Sequence, residues 1–209
     1  MKEQELERLK NMMKYENLMY SQGYTTICGV DEAGRGPLCG PVVVGAVILA
    51  KDMYIEGVND SKKLSPKKRD KLYDDITKNA LAWSVGVSDV DVIEKVNILN
   101  ATKLAMKQAI ESLKLIPDYV LVDAVKNLKI SIPYMSIIKG DALSQSIAAG
   151  SIIAKVTRDR MMIEYDKVYP QYNFLSNKGY GTKEHIDAIK KYGLCPIHRP
   201  SFCTHFINI

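Results

Sequence analysis

Residues 42–49, VVVGAVIL, are the stretch that most narrows the fold. A nearly continuous apolar run of this length suits a strand covered on both faces, which demands a layer above it and a layer below. Residues 25–32, TTICGVDE, read as a strand entering the Gly- and Pro-rich turn AGRGPLCGP. Residues 81–87, 119–122 and 134–138 supply three more strands. Between and around them lie helical patterns. Residues 1–22 are amphipathic, with Leu6, Leu9, Met13 and Leu18 on one stripe and Gly23 as the stop. Residues 67–76 follow a Ser65-Pro66 cap. Residues 92–113 turn Ile98, Ala101, Ala105 and Ile110 inward. A further helix runs from Ala142 to about Tyr165, where Ala148, Ala149, Gly150, Ser151 and Ala154 permit close approach to a sheet. Residues 169–181 look like loop, and Thr182 caps a helix ending at Tyr192. The expectation is an α/β protein: a mixed five-stranded sheet flanked by helices, with a helical C-terminal portion.

Composition fits this reading. With 209 residues, 46% of them hydrophobic, the chain is long enough to bury roughly 70% of its unfolded surface in one domain. No run approaches the ~18 apolar residues of a membrane span, and the charged first 18 residues lack the apolar centre of a secretory signal. A cytoplasmic protein is expected. Its four cysteines form no CxxC pair and read as reduced thiols. Cys195, His198, Cys203 and His205 offer zinc-type ligands, but CPIH followed by CTH matches no common structural zinc spacing, and Pro196 and Pro200 stiffen the segment; ordinary packing is expected. The net charge of +5 points weakly to a polyanionic partner. Cations concentrate in residues 60–69 and again at Lys155, Arg158 and Arg160, patterns that by themselves describe solvated helix faces.

The acids are more informative. Asp31-Glu32, Asp123 and Asp141 each end or follow an apolar strand-like run, where ligands gather in open α/β sheets. If the first and fourth strands pair, Asp31 and Asp123 become neighbours. Converging carboxylates repel one another unless a cation neutralises them, and Mg²⁺ prefers such oxygen ligands. A pair of ions there would clamp the attacking and leaving oxygens of a phosphodiester. Each acid has a plainer alternative. Asp141 can cap the following helix, and Asp123 can close an Asx-turn. Asp31 and Glu32 face one site only if their strand is ending. The turn Gly34-Arg35-Gly36 matches neither common phosphate-loop pattern, but its glycines would let backbone come close to a ligand.

Five segments together resemble ribonuclease HII: GVDEAGRGPLCGPVVVGAVIL (29–49), NDSKKLS (59–65), VLVDA (120–124), KGDALSQSIAAGSIIAKVTRDRMM (139–162) and NKGYGTKEH (177–185). They occur in the family's order and span residues 24 to about 202. The resemblance implies a ribonuclease H-like fold and a Mg²⁺- or Mn²⁺-dependent endonuclease. Its substrates would be RNA–DNA hybrid and DNA duplex containing single ribonucleotides, with cuts leaving 3′-hydroxyl and 5′-phosphate ends. It implies Asp31, Glu32, Asp123 and Asp141 as metal ligands, Asp31 bridging both ions. It implies Gly34, Arg35 and Gly36 as readers of the 2′-hydroxyl, the group that marks RNA, and Tyr180 as the residue sensing the neighbouring deoxyribose. Lys62, Lys63 and Lys155 would contact phosphates away from the cut. The sister family, ribonuclease HIII, has a different turn and an added N-terminal domain, for which the 22 or so residues before the matched core are too few. Residues 1–23 are expected as a helical extension, residues 24–209 as the catalytic domain, and the protein as a monomer. Two other readings remain: a non-catalytic binder of hybrid duplexes, and a nuclease of the same fold acting on DNA, against which the GRG turn argues.

Overall fold

In the computed structural model, which describes residues 2–205, β2 (Val42–Ile48) is buried at every position. Met1 and residues 206–209, the outer ends of the expected two-part division, lie outside the described residues. β2 pairs antiparallel with β1 (Ile27–Ala33) on one side and β3 (Ala82–Ser88) on the other. β1 in turn pairs parallel with β4 (Tyr119–Asp123), and β4 with β5 (Tyr134–Ile137), giving the order β3-β2-β1-β4-β5.

Period-two alternation splits β2 between two cores. Val42, Val44, Ala46 and Ile48 join Cys28, Val30, Ala105, Met106 and Ala109 on one face. Val47 joins Ala148, Ala149, Ile152, Ile153, Leu72 and Ile76 on the other. The second face is covered by the 24-residue helix that the small residues anticipate, and that helix lies so close that a Cβ on Gly45 would strike the Gly150 carbonyl. A third cluster, around Leu38, Cys39, Met162, Tyr172, Phe174 and Ile189, builds the helical C-terminal portion.

Three expected helices are each divided. The N-terminal pattern forms α1 (Glu3–Asn11) and α2 (Lys14–Ser21), broken where the Met12 carbonyl accepts the Gln145 N–H at 2.9 Å. This break re-phases the stripe: Leu9 and Met13 are buried as expected, but Leu18 is exposed, and Met12 and Met19 are buried instead. After α3 (Pro66–Asn79), which begins at the expected Ser65 cap, residues 92–113 form α4 (Val90–Val96) and α5 (Ile98–Glu111). Asn97, at φ +68°, ends the first and caps the second through the Asn100 N–H. Beyond β5, α6 (Gly140–Leu143) is separated from α7 (Gln145–Val168) by Ser144, whose hydroxyl caps α7 at the Ile147 N–H and donates to Glu16 at 2.6 Å. Polar side chains that bond local backbone compete with helix continuation at both breaks. The expected 169–181 loop contains a 3₁₀ turn, Pro170–Tyr172, and α8 (Phe174–Asn177); α9 (Lys183–Tyr192), capped by Thr182, and α10 (Pro200–Cys203) follow. No helix among the described residues is long and apolar enough to cross a membrane.

Candidate active site

Parallel pairing of β1 with β4 runs from Ile27↔Tyr119 to Val30↔Val122, so Asp31 and Asp123 emerge side by side where the pairing stops. Backbone fixes the third acid. Ala124, just after β4, and Lys139, just after β5, hold positive-φ conformations at the same end of this parallel pair, and the Gly140 N–H donates to Asp123 Oδ1 at 2.7 Å. That bond carries Asp141, in the first turn of α6, toward Asp123. Non-glycine residues in this backbone region store strain of about 1–3 kcal/mol each. Both plainer alternatives fail here: α6 starts behind Lys139 without a side-chain cap, and Asp123 accepts from a residue 17 positions away.

Asp31, Asp123 and Asp141 each present a carboxylate oxygen within 4.8 Å of the other two. Burial, then the charges of Glu32 and Asp123, push the Asp31 carboxyl well above the usual carboxylate range. Burial, then Asp60 and Asp123, push Asp141 up to about 6. Asp123 is raised by burial against the pull of the Gly140 hydrogen bond. Glu32 stands outside the triple, and β1 does not end at Asp31 but continues along β2 to Ala33; even so, the Glu32 charge acts on Asp31 and that of Asp123 acts on Glu32. Burial raises the pKa of its carboxyl, Arg35 Nη1 donates to its Oε1 at 3.3 Å, and its Oε2 is buried without a partner among the described residues. A compact set of hard oxygen donors that penalise one another's ionisation, with a spare acceptor beside it, fits a divalent cation.

A cleft of about 510 Å³ adjoins the acids, lined by Glu32, Gly34, Arg35, Gly36, Lys62, Lys155 and Tyr180 among others. Gly34 has φ +98°, and any Cβ there would strike the Arg158 side chain, so only glycine suits the position. Tyr180 is half-exposed beside Gly36, with Lys155 Nζ 6.0 Å from its ring centre; Lys155 also pairs with Asp159 at 2.6 Å. Burial works against the Lys62 charge, but Asp31, Asp141, Asp60 and Asp123 outweigh it and raise its pKa. Lys63 is exposed and does not line the cleft.

Two residues near the acids escape a reading of the sequence. Asp60 sits in a segment conspicuous for its cations, yet its charge reaches both Asp123 and Asp141. Arg158, grouped by sequence with Lys155 and Arg160 as a basic patch, is completely buried and turns away from them. Of the four zinc-type residues near the C-terminus, His205 is exposed, and the close group is instead Cys39, His185 and His198. That group is a relay of neutral imidazoles. The Cys195 N–H donates to His198 Nδ1 at 2.9 Å and His185 Nδ1–H donates to the Tyr180 carbonyl at 2.9 Å, leaving the His198 Nε2–H to donate to His185 Nε2 at 3.0 Å.

A mixed sheet in this order, with carboxylates where its central strands end, defines a ribonuclease H-like hydrolase. The ribonuclease HII family model matches residues 28–205. A ribonuclease HII of Acetivibrio thermocellus is 57% identical over 98% of this chain and 80% of its own length, and one of Clostridioides difficile is 56% identical over 97% and 80%. The crystal structure of ribonuclease H2 from Pyrococcus horikoshii OT3 superposes with a TM-score of 0.72 at 27% identity, covering 88% of this chain and all of that one. Bst-RNase HIII, solved in complex with Mn²⁺, shares the fold at a TM-score of 0.65 and 18% identity, over 81% of this chain and 63% of its own. The chain belongs to the ribonuclease HII family.

Proposed function

We propose that this enzyme hydrolyses the RNA strand of RNA–DNA hybrids and cuts on the 5′ side of single ribonucleotides in duplex DNA, leaving 3′-hydroxyl and 5′-phosphate ends. The observation that carries the reading is the adjacency of the close Asp31–Asp123–Asp141 triple, its first and last members buried, to a cleft walled by glycine backbone. Asp31, Glu32, Asp123 and Asp141 would hold two divalent cations, Mg²⁺ or Mn²⁺. Such ions, when bound, activate water and neutralise charge on a departing oxygen.

The chain's own residues do the selecting. Backbone at Gly34 and Gly36 reaches the 2′-hydroxyl, and Arg35, held by Glu32, stands over the junction. The Tyr180 ring packs on the neighbouring deoxyribose, where an extra hydroxyl would crowd it. Lys62, kept protonated by four carboxylates, steadies the scissile region, while Lys63 and Lys155 take phosphates. In this reading residues 24–209 are the catalytic domain, residues 1–23 an extension, and the enzyme is a cytoplasmic monomer.

The test is a labelled duplex with one ribonucleotide, incubated with and without Mg²⁺. Cleavage 5′ of the ribose only with metal is expected. Binding without cleavage would make the protein a passive hybrid binder, and cutting of a ribose-free duplex would make it a DNA nuclease.

A further inference from the structure

Arg158 and Arg199 are both fully buried, and neither forms an ion pair among the described residues. A buried cation without a counter-charge is costly unless hydrogen bonds replace its water. Arg199 achieves this completely. Its Nε donates to the Gly40 carbonyl at 3.1 Å, Nη1 to those of Arg35 and Pro37 at 3.0 and 2.8 Å, and Nη2 to those of Gly34 and Gly40, both at 2.7 Å. All five N–H groups are used, each on the turn that follows β1. Arg158 adds the Pro41 and Cys39 carbonyls and ties in that of Lys178, two residues before Tyr180. Burial and the like charge of Arg158 bring Arg199 down to about 10, so it remains a cation at neutral pH.

The consequence lies on the other side of the turn. The carbonyls of Gly34, Arg35, Pro37, Cys39, Gly40 and Pro41 point at the arginines, whereas the N–H groups of the exposed Arg35 and Gly36 find no acceptor in the protein among the described residues. We propose that Arg199, supported by Arg158, is a positioning residue for specificity: by drawing those six carbonyls inward it leaves donors, over two buried positive charges, facing the cleft. A turn free to rotate a peptide would offer carbonyl oxygens there, which repel phosphate and cannot donate to a ribose hydroxyl. The inference rests on the proposed reading of the 2′-hydroxyl by this turn.

The measurement is affinity, by fluorescence anisotropy in EDTA, for a duplex with one ribonucleotide relative to the same duplex in all-DNA form. Arg199→Lys keeps the charge but replaces a planar five-donor fork with three donors on a point. It is expected to lower the ribose preference roughly tenfold or more. Ile189→Ala, in the same C-terminal cluster, is expected to lower the melting temperature and leave the preference intact. Gly36→Pro, which removes one of the two donors, tests the underlying reading. If it loses the preference and Arg199→Lys does not, the inference falls alone; if neither loses it, the reading falls as well. Equal losses in Arg199→Lys and Ile189→Ala would reduce Arg199 to a fold-stabilising residue and overturn the proposal. Should Arg199→Lys not fold, amide exchange in the wild-type protein decides: Arg35 and Gly36 amides exchange fast when free and slow at least roughly tenfold on the ribonucleotide duplex. Slow exchange before the duplex is added overturns it.

Discussion

Asp31 accepts the Glu32 N–H at 2.7 Å while burial and two neighbouring acids oppose its charge. An asparagine can keep the hydrogen bond and shed the charge. The sign follows from linkage: a carboxyl whose folded pKa is raised contributes stability below its unfolded pKa, near 4, and loses it as pH rises through the folded value. At neutral pH without metal, Asp31 therefore costs stability. Asp31→Asn is expected to melt a few degrees higher in EDTA, for a gain of about 1 kcal/mol, and to lose cleavage altogether. Added Mn²⁺ should raise the wild-type melting temperature through mass action and raise the variant's much less. Scanning calorimetry with and without the ion checks both; a variant melting below wild type in EDTA would mean that the carboxylate is net stabilising. Asp60 belongs to the same electrostatic group, and its charge was hidden in the sequence by the lysines around it.

Elements reach the site through a few polar links. The His185–His198 relay joins the Tyr180 carbonyl, just before α9, to Cys195, just after it. It needs both rings neutral, and burial followed by the His185 charge holds His198 at about 4. A histidine whose folded pKa is depressed contributes stability that is complete above 6.5 and disappears as pH falls through about 4. Wild-type stability should thus decline across that window by up to about 3 kcal/mol from this residue. His198→Gln should flatten the decline, read as the difference between two urea-melt series against pH. At the other end of the chain, Glu16 of α2 accepts the Ser144 hydroxyl and the Ser146 N–H, pinning the break that separates Asp141's short helix from α7. Glu16→Ala is expected to lower stability by roughly 1–3 kcal/mol, since it leaves those donors buried and unpaired, and to lower kcat with it. Unchanged kcat would confine the extension to a stability role. These links explain what the sequence could and could not convey. Apolar runs and strand-end acids were legible because alternation and burial act locally, whereas the parallel β1–β4 pair entered only as a condition, because the choice of strand partner is not local. The breaks at Met12, Asn97 and Ser144 were not legible, because each depends on a cap or a distant backbone partner that periodicity cannot register. The inward turn of Arg158 was hidden for the same reason: a helical wheel shows which residues are charged, not which carbonyls lie beneath them.

Across the whole molecule, charge is arranged in opposition. A chain of net charge +5 gathers Asp31, Asp123 and Asp141 at one point and sets Lys62 and Lys155 in the adjoining cleft, with Lys63 exposed next to Lys62. A duplex approaching this surface meets attraction at the flanks and repulsion at the centre until cations fill the acidic triple. Association should then depend on two kinds of ion in opposite directions. Monovalent salt weakens binding, because each phosphate neutralised by a lysine releases counterions, with a slope near −0.9 in log K against log salt per contact on B-form duplex. A divalent cation in the triple strengthens it by removing the central repulsion. Lys63→Ala, at an exposed position outside the cleft lining, should reduce the magnitude of the slope by about 1 and leave the response to the divalent ion unchanged. Asp31→Asn should leave the slope unchanged and blunt the divalent response, because the variant has already lost part of the central charge. Anisotropy titrations over a range of KCl, with Ca²⁺ or EDTA to prevent turnover, separate the two. A Lys63 variant with the wild-type slope would remove that lysine from the path of the duplex.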